Sequence, residues 1–493
     1  MSQTAEREDD ATVEARPPRT ILGHPIGLAN LLGVELWERF SFYGMVTILP
    51  YYLYYSLDEG GLGIPQPAAL GFVGAYAGLV YLSTMLGSWL ADRVLGMERM
   101  VFYGGFVVML GHVALALLPG FGGVSTGLVL VAIGAGALKA NASSLLGTLY
   151  ARDDRRTDSG FSIFYLGITV GSFFGPLLTG LLNDSRGFHF AFGAAAVGML
   201  LGLVQYVAFR RNLGTAGKAP GNPLPRTAIT RTVVFAVASA SVVAAALLTG
   251  VVNLSNLAQV LSIVVSLAAV VYFVVILTSP KVTKDERSRV RAFIPMFLSI
   301  TVFAALFTQM FTAFAAYSDE RIDWNIFGWT APSSWLFLAE TVWVMPLLAM
   351  ASAIWVRLGD RAPSTPTKLG VGIMLSGICF LLFLPFAGGT GKTTPALYVF
   401  LILLILAVAE VLVAPIGLAV TTKLAPQAFR AQLMALYFIA SALGSSLSGV
   451  IGSFYHSTSE FAYFLVIGLA GLAAGGLMFA FGPWIRRHLG RVR

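Results

Sequence analysis

Leu31-Leu-Gly-Val-Glu-Leu-Trp-Glu-Arg-Phe-Ser-Phe-Tyr-Gly44 is a long apolar stretch that nevertheless carries three charges, at Glu35, Glu38 and Arg39. A charge at the centre of a bilayer costs about 2.5–3.5 kcal/mol on insertion scales, so such a cluster must be compensated. In a helix, spacings of three and four residues place all three side chains on one face. Two carboxylates that compete for one guanidinium cannot both be ionised cheaply, so at least one is expected to take up a proton. The stretch therefore predicts a membrane helix that binds a proton; the alternative is a buried ion pair that only fixes helix packing.

The rest of the chain is as apolar as this stretch. Of its 493 residues, 57% are hydrophobic and only 11% are charged, which excludes an ordinary soluble protein. Apolar runs of about 20 residues, long enough to cross a bilayer, recur from end to end without the alternating polarity of a β-barrel, so they should be helices. We expect an all-α polytopic membrane protein with fourteen transmembrane helices, at about residues 28–56, 68–94, 100–118, 124–149, 158–182, 189–210, 230–250, 256–278, 290–316, 334–358, 367–386, 395–423, 428–454 and 459–485.

The loops between these spans differ in charge on the two sides of the membrane. With both termini on one side, the loops of the opposite side hold only Arg186, Arg321 and Lys392, and all other loop lysines and arginines fall on the side of the termini. Arg39 and Lys139 lie within the membrane. Because cytoplasmic loops are enriched in lysine and arginine, both termini are predicted to be cytoplasmic. The formal net charge of +8 is then a topology signal, and no nucleic-acid partner is expected.

Two charged or Gly/Pro-rich breaks divide the chain. They separate two sets of six spans from two intervening spans that carry no membrane-embedded charge. The expected organisation is a cytoplasmic tail (1–27), an N-terminal six-helix bundle (28–210), a cytoplasmic linker (211–229), two inserted transmembrane helices (230–278), a second linker (279–289), a C-terminal six-helix bundle (290–485) and a cytoplasmic tail (486–493).

A weak internal repeat supports the two halves. Gly87-Ser-Trp-Leu-Ala-Asp-Arg-Val-Leu-Gly-Met-Glu-Arg99 follows the second span, and Trp355-Val-Arg-Leu-Gly-Asp-Arg-Ala-Pro-Ser-Thr-Pro-Thr-Lys368 follows the tenth. The first resembles the G-x-x-x-D-R-x-G loop signature of the major facilitator superfamily. The resemblance implies the major facilitator fold, alternating access and a substrate site near the midplane. It also implies a gating and structural role for Asp92 and Arg93, which could equally form a plain loop salt bridge.

The charged stretch of the first span resembles the E-x-x-E-R-F-x-Y-Y-G motif of the proton-dependent oligopeptide transporter family, reading Glu35-Leu-Trp-Glu-Arg-Phe-Ser-Phe-Tyr-Gly44. Three further stretches resemble motifs of the same family. They are Gly134-Ala-Gly-Ala-Leu-Lys-Ala-Asn-Ala-Ser-Ser-Leu-Leu-Gly147, Asp158-Ser-Gly-Phe-Ser-Ile-Phe-Tyr-Leu-Gly-Ile-Thr-Val-Gly171 and Glu410-Val-Leu-Val-Ala-Pro-Ile-Gly417. The resemblance implies that Glu35, Glu38, Arg39 and Lys139 couple proton binding to transport. The substrate-binding residues that we expect are Tyr43, Tyr81, Lys139, Asn141, Tyr165, Gln309, Glu340, Glu410 and Tyr437.

The two isolated membrane charges can also be interpreted without the family. Lys139 is flanked by alanine and glycine, which are too small to shield it, so its ammonium should face a cavity or a carboxylate such as Glu35 or Glu38. Glu410 has no basic residue near it in sequence, so it should be protonated or meet a cation of the substrate. A peptide's carboxylate at Lys139 and its ammonium at Glu410 would match a zwitterion, with Tyr43, Tyr81, Tyr165 and Tyr437 lining pockets for side chains. For each aromatic residue, simple helix packing is the alternative.

Several positions depart from the family pattern. Val46 stands where many members have an arginine, Phe42 replaces the first tyrosine, and Thr169 replaces the asparagine of the fifth span. The run Phe307-Thr-Gln309 lacks the acidic pair that some members have there. Glu340 stands where asparagine is usual, which adds a titratable group or a second contact for a cation. These differences affect the predicted substrate-binding positions and leave Glu35, Glu38 and Arg39 intact.

The function expected from the sequence is a proton-coupled symporter that imports di- and tripeptides by alternating access, located in the plasma membrane. Its partners are protons, small peptides or similar zwitterions, and the lipid bilayer, and it is expected to work as a monomer. The alternatives are a proton-coupled transporter of another zwitterionic or drug-like solute, and a non-transporting sensor with a transporter fold. An enzyme is not expected, because HExxH, GxSxG and GxxxxGK motifs are absent from the sequence. No cofactor and no metal are expected.

Overall fold

The computed structural model describes residues 20–21, 23–151, 154, 156–358 and 361–489, and they form an almost entirely helical molecule. Most of the predicted N-terminal tail and the last residues of the C-terminal tail lie outside this range. The α-helices are α1 (Gly27–Tyr54), α2 (Gln66–Leu90), α3 (Met97–Leu117), α4 (Gly120–Gly147), α5 (Thr157–Arg186), α6 (Phe188–Phe209), α7 (Arg226–Leu248), α8 (Leu257–Thr278), α9 (Lys284–Phe307), α10 (Ala313–Arg321), α11 (Leu336–Leu358), α12 (Thr365–Leu381), α13 (Ala396–Leu424), α14 (Arg430–Gly452) and α15 (Glu460–Leu489).

These helices confirm the predicted membrane protein of fourteen spans. Among the described residues, thirteen helical segments are long and apolar enough to cross a bilayer, with α9 and α10 together forming one of them. The fourteenth span is α1, whose 28 residues also suffice but which carries the three charges of the opening stretch. Helix boundaries differ from the prediction by a few residues. For example, α9 begins at Lys284, because Thr283 and Glu286 form a capping box there.

Six two-residue strands lie in the loops of the described chain. Thr20–Ile21 (β1) pairs antiparallel with His24–Pro25 (β2) before α1. Ile322–Asp323 (β3) pairs parallel with Thr394–Pro395 (β6), which ties the end of α10 to the start of α13. Asn325–Ile326 (β4) and Trp329–Thr330 (β5) form a hairpin between α10 and α11. The strands fasten loops to helix ends and carry none of the residues predicted to bind substrate.

The ninth span is broken between α9 and α10. The chain tightens into a 3₁₀ turn at Thr308–Phe311, and Thr312 then adopts φ −121° and ψ −104° before α10 resumes. Gln309 stabilises this break from inside the protein: its amide donates to the Ser448 carbonyl (3.2 Å) and accepts from Thr312 (3.0 Å) and Tyr463 (2.8 Å). Non-helical backbone at membrane depth is tolerated where protein groups satisfy it.

The helices pack into an N-terminal half (α1–α6) and a C-terminal half (α9–α15). Within the first half α1 packs on α5 and α6, and α3 packs on α4 and α6; within the second, α12 packs on α13 and α15. The inserted helix α8 lies against α2, α9 and α14, whereas α7 has no buried residue and lies at the periphery. The packing is consistent with the predicted domain boundaries, which remain a prediction.

The two halves meet at the end of the molecule where α1 finishes, called the outer side below. Here α2 and α14 touch through glycines, since a Cβ atom on Gly74 would lie 2.3 Å from the Cα atom of Gly449. The phenol groups of Tyr54 and Tyr55 donate to the Asp319 carboxylate of α10 at 3.0 and 2.8 Å. Tyr51 donates to the carbonyls of Ala315 and Ser333, both at 3.2 Å. These contacts join the halves on the side that the charge asymmetry predicts to be extracellular.

Candidate functional site

The acidic and basic side chains of α1 form a buried cluster. Arg39 Nε donates to Glu35 Oε1 at 3.0 Å, and Arg39 Nη2 lies 2.6 Å from Glu38 Oε2. All three residues are at most 2% exposed. The predicted single face of charge is therefore present in the structure, with one guanidinium held between two carboxylates.

This cluster leaves carboxylate oxygens without hydrogen bonds. Among the described residues, one oxygen of Glu35 has a hydrogen-bond partner, and neither oxygen of Glu38 has one. The Arg39–Glu38 ion pair is close, but it lacks the alignment of a hydrogen bond. A buried carboxylate without hydrogen bonds carries a large desolvation cost, which protonation removes. The geometry thus suits proton uptake at Glu38.

Glycines of α5 allow α1 to approach closely enough to bury the cluster. A Cβ atom on Gly171 would lie 2.2 Å from the carbonyl oxygen of Leu36, and one on Gly175 would lie 2.2 Å from that of Phe40. One turn further on, Thr179 Oγ1 donates to the carbonyl of Gly44 at 2.9 Å. The predicted fifth-span motif, which ends at Gly171, therefore serves in part to seat α1.

Lys139 of α4 is the other cation of this half. Its Nζ lies 5.2 Å from the centre of the Tyr81 ring, a cation–π contact with α2. Glu35, Glu38 and Arg39 are its charged electrostatic neighbours. No ion pair within 4.0 Å joins Lys139 to either glutamate in the described part of the chain. The Lys139 ammonium thus lies near Glu35 and Glu38, as expected, without forming a direct ion pair with either of them.

In the C-terminal half, Glu410 of α13 faces a second carboxyl group. Glu340 of α11 lies close enough to share a hydrogen bond with it, and neither has an arginine or lysine among its electrostatic neighbours within the described residues. Glu340 is 1% exposed and Glu410 is partly exposed. The structure therefore joins two predicted site residues that stand seventy positions apart in the sequence.

Tyrosines connect the charges of the two halves. Tyr43 and Tyr81 each have both Arg39 and Glu410 among their electrostatic neighbours. Tyr43 also stacks on Phe337 of α11, with ring centres 4.8 Å apart. Tyr165 and Tyr437 face Glu410 as well, and Tyr165 is 44% exposed. Tyr43 and Tyr81 thus lie between the cations Arg39 and Lys139 and the acid Glu410, whereas Tyr165 and Tyr437 lie near Glu410.

Two predicted binding residues are engaged in helix packing in this structure. Asn141 donates to the carbonyls of Gly87 (3.1 Å) and Ala137 (2.7 Å), which fastens α4 to α2. Gln309 occupies the break between α9 and α10, where its amide is fully used. A role for either residue in substrate binding stays a prediction.

The Asp92–Arg93 loop is covered by the first linker. Asp92 and Arg93 lie on a π-helical turn, with 3.9 Å between Arg93 Nε and Asp92 Oδ2. Their carbonyls accept hydrogen bonds from the backbone of Asn222 (2.9 Å) and Leu224 (3.0 Å). A gating role stays a prediction, and the contact shows that the linker is hydrogen-bonded to the loop. Gly359 and Asp360 of the second copy of this loop lie outside the described residues.

Two ion pairs, one partly buried and one buried, were not predicted from the sequence. Glu98 of α3 pairs with Arg210 at the end of α6, where Arg210 Nη2 donates to Glu98 Oε2 at 2.8 Å. Arg321 of α10 pairs with Glu460 of α15 at 2.7 Å on the outer side. Each joins residues more than a hundred positions apart, so no local spacing reveals it. The only signal for the first is that Glu98 stands in the stretch 87–99, which resembles a known loop signature.

The whole chain is similar to known transporters. The model of the POT family matches residues 98–466. The "Uncharacterized transporter YclF" of Bacillus subtilis (strain 168) is 39% identical over 484 residues, covering 98% of each chain. The "Di-/tripeptide transporter" of Lactococcus lactis subsp. cremoris is 39% identical, covering 96% of this chain and 98% of its own. A crystal structure of peptide transporter POT in complex with sulfate has a TM-score of 0.91 and 39% identity, covering 96% of this chain and 97% of that one.

These matches span both halves and the inserted helices, and they confirm the predicted fold and family. The structural agreement covers 96% of the chain. The chain is a membrane-embedded transporter and not an enzyme, and it belongs to the POT family of peptide transporters.

Proposed function

We propose that the protein is a proton-coupled symporter that imports di- and tripeptides across the plasma membrane by alternating access. It works as a monomer with both termini in the cytoplasm. The observation that carries this proposal is the polarity of the site: Arg39 and Lys139 at one end, Glu340 and Glu410 at the other, and Tyr43 and Tyr81 between them. A zwitterion with separated charges matches this arrangement.

The α1 cluster supports a coupling step that uses this chain's own groups. When Glu38 takes up a proton, its attraction for Arg39 is lost, and the guanidinium keeps only its bond to Glu35. Arg39 and the nearby Lys139 can then attract the carboxylate of a peptide more strongly. Proton and peptide thereby favour each other's binding, which is the thermodynamic requirement for symport.

The outer contacts indicate the side of the membrane to which the site opens in this structure. The halves are joined at the outer side by the α2–α14 glycines and by Asp319, so the site is accessible from the cytoplasm in an alternating-access cycle. Release of these contacts would expose the same residues to the other side.

A second candidate substrate is another zwitterionic or drug-like solute. Val46 is buried where an arginine would add a second carboxylate clamp, and Glu340 adds an acid at the opposite end. Both features should strengthen recognition of the substrate's ammonium group relative to recognition of its carboxylate. A solute with a strong cationic group and a weak anionic one would therefore also fit.

Uptake of labelled dialanine into proteoliposomes under an inward proton gradient tests the proposal. We expect accumulation above the external concentration, abolished by a protonophore. Failure to transport any member of a panel of di- and tripeptides would refute peptide transport. Uptake that is insensitive to the protonophore would refute only the coupling, and competition of dialanine uptake by non-peptide zwitterions would favour the second candidate.

A further inference from the structure

We propose that Glu340 and Glu410 share one proton and that this acid pair recognises a second cationic group on the substrate. This group is the basic side chain of a peptide's first residue. When it binds, it replaces the shared proton. The inference rests on the proposed function, because it assigns a preference to the site that receives the peptide's α-ammonium group.

The carboxyl groups of Glu340 and Glu410 are close neighbours. They come from different helices, α11 and α13, and lie within hydrogen-bonding reach of each other. A hydrogen bond between two carboxyl groups requires a proton on one of them. Because like charges so close in a membrane interior are costly, a single shared proton is the arrangement that satisfies both groups.

Among the described residues, no basic side chain is an electrostatic neighbour of Glu340 or Glu410. The titratable groups that face the pair from neighbouring helices are Tyr43 of α1, Tyr81 of α2, Tyr165 of α5, Cys379 of α12 and Tyr437 of α14. None of these is basic. The Oε1 atom of Glu340 is buried without a hydrogen-bond partner among the described residues. Among the described residues, this oxygen therefore lacks a donor, and a cationic group of the substrate could supply one.

The charge of the Glu340–Glu410 pair must match the positive charge of the bound substrate. With one proton, the pair carries a single negative charge and matches one α-ammonium group. With a peptide whose first side chain is also cationic, two positive charges enter, and full ionisation of the pair balances them. The shared proton then leaves to the water of the cavity. A peptide with its cation at the far end places that charge away from α11 and α13 and leaves the proton in place.

Proton release on binding tests this inference with the wild-type protein. Binding of Lys-Ala, Ala-Lys and Ala-Ala is measured by calorimetry in two buffers of different ionisation enthalpy, which gives the number of protons released. We expect Lys-Ala to release about one proton more than Ala-Ala, and Ala-Lys to behave like Ala-Ala. Equal proton numbers for Lys-Ala and Ala-Ala would overturn the inference and leave peptide transport intact.

Glu340→Gln supplies the second readout, because glutamine keeps the shape and cannot hold the proton. The variant should lose the extra proton release with Lys-Ala, and its preference for Lys-Ala over Ala-Ala should fall about tenfold or more, as expected for one charged hydrogen bond. A variant that retains that preference would contradict the inference. If none of the three peptides binds to the wild-type protein, the proposed function itself fails, and this inference fails with it.

Discussion

Replacing Asp319 by asparagine perturbs the outer contact between the two halves while keeping the size of the side chain. The carboxylate of Asp319 accepts hydrogen bonds from Tyr54 and Tyr55 of the opposite half. A hydrogen bond to a charged group contributes about 1.5–3 kcal/mol, and a neutral one about 0.5–1.5 kcal/mol. Loss of the charge should therefore weaken the two bonds by about 2 kcal/mol in total. Because α1 and α10 must separate for the outer side to open, the outward-open population should rise about thirtyfold.

Pulsed electron paramagnetic resonance between spin labels at Leu57→Cys and Ile326→Cys measures this population. Both positions are exposed on the outer side, one in each half, and the native Cys379 is buried. Glu59→Gln is the matched control, since that acid bonds only Ser56 of its own loop among the described residues. Long distances should become more populated in Asp319→Asn and not in the control. An unchanged distance distribution in Asp319→Asn would refute the idea that this contact holds the outer side closed.

Three further predictions concern the α1 cluster, the helix contact and the basic end. Arg39→Met should lower stability by about 3–5 kcal/mol, seen as a lower Tm in detergent, because it leaves buried carboxylates without their cation; a Tm equal to wild type would contradict a buried ion pair. Gly74→Leu should block closure of the outer side and abolish uptake, whereas Gly476→Ala, which meets open space, should transport normally; normal uptake by Gly74→Leu would show that α2 and α14 need not touch. Lys139→Gln should raise the inhibition constant of Ala-Ala by about tenfold or more and leave that of its C-terminal amide unchanged; equal effects on both peptides would remove Lys139 from carboxylate binding.

The sequence allowed the helices and the α1 cluster to be predicted because both depend on local spacing. Hydropathy over successive residues marks each span, and three- and four-residue spacings placed Glu35, Glu38 and Arg39 on one face, as the structure shows. The break at Thr308–Phe311 was not predicted, because the segment contains no proline or glycine to signal it. It is produced by hydrogen bonds of Gln309 to α14 and α15, which are contacts between distant parts of the chain.

The partners of the remaining charges could not be predicted for the same reason. Glu410 had no basic neighbour in sequence, and a substrate cation was expected to meet it; the structure adds Glu340 of another helix. The pairs Glu98–Arg210 and Arg321–Glu460 join helices whose relative placement is fixed only by tertiary packing. Asn141 and Gln309 are predicted from the sequence to bind substrate, but the sequence could not show that their amides are occupied by neighbouring helices.

The α1 cluster is proposed to couple proton binding to transport. Two assays of Glu38→Gln in proteoliposomes test this coupling: counterflow of dialanine, which needs only binding and alternating access, and uptake driven by a proton gradient. Glutamine imitates the protonated acid, so we predict that the variant retains counterflow and loses gradient-driven accumulation, while Glu59→Gln retains both. Accumulation by Glu38→Gln to the wild-type level under the same gradient would contradict the account.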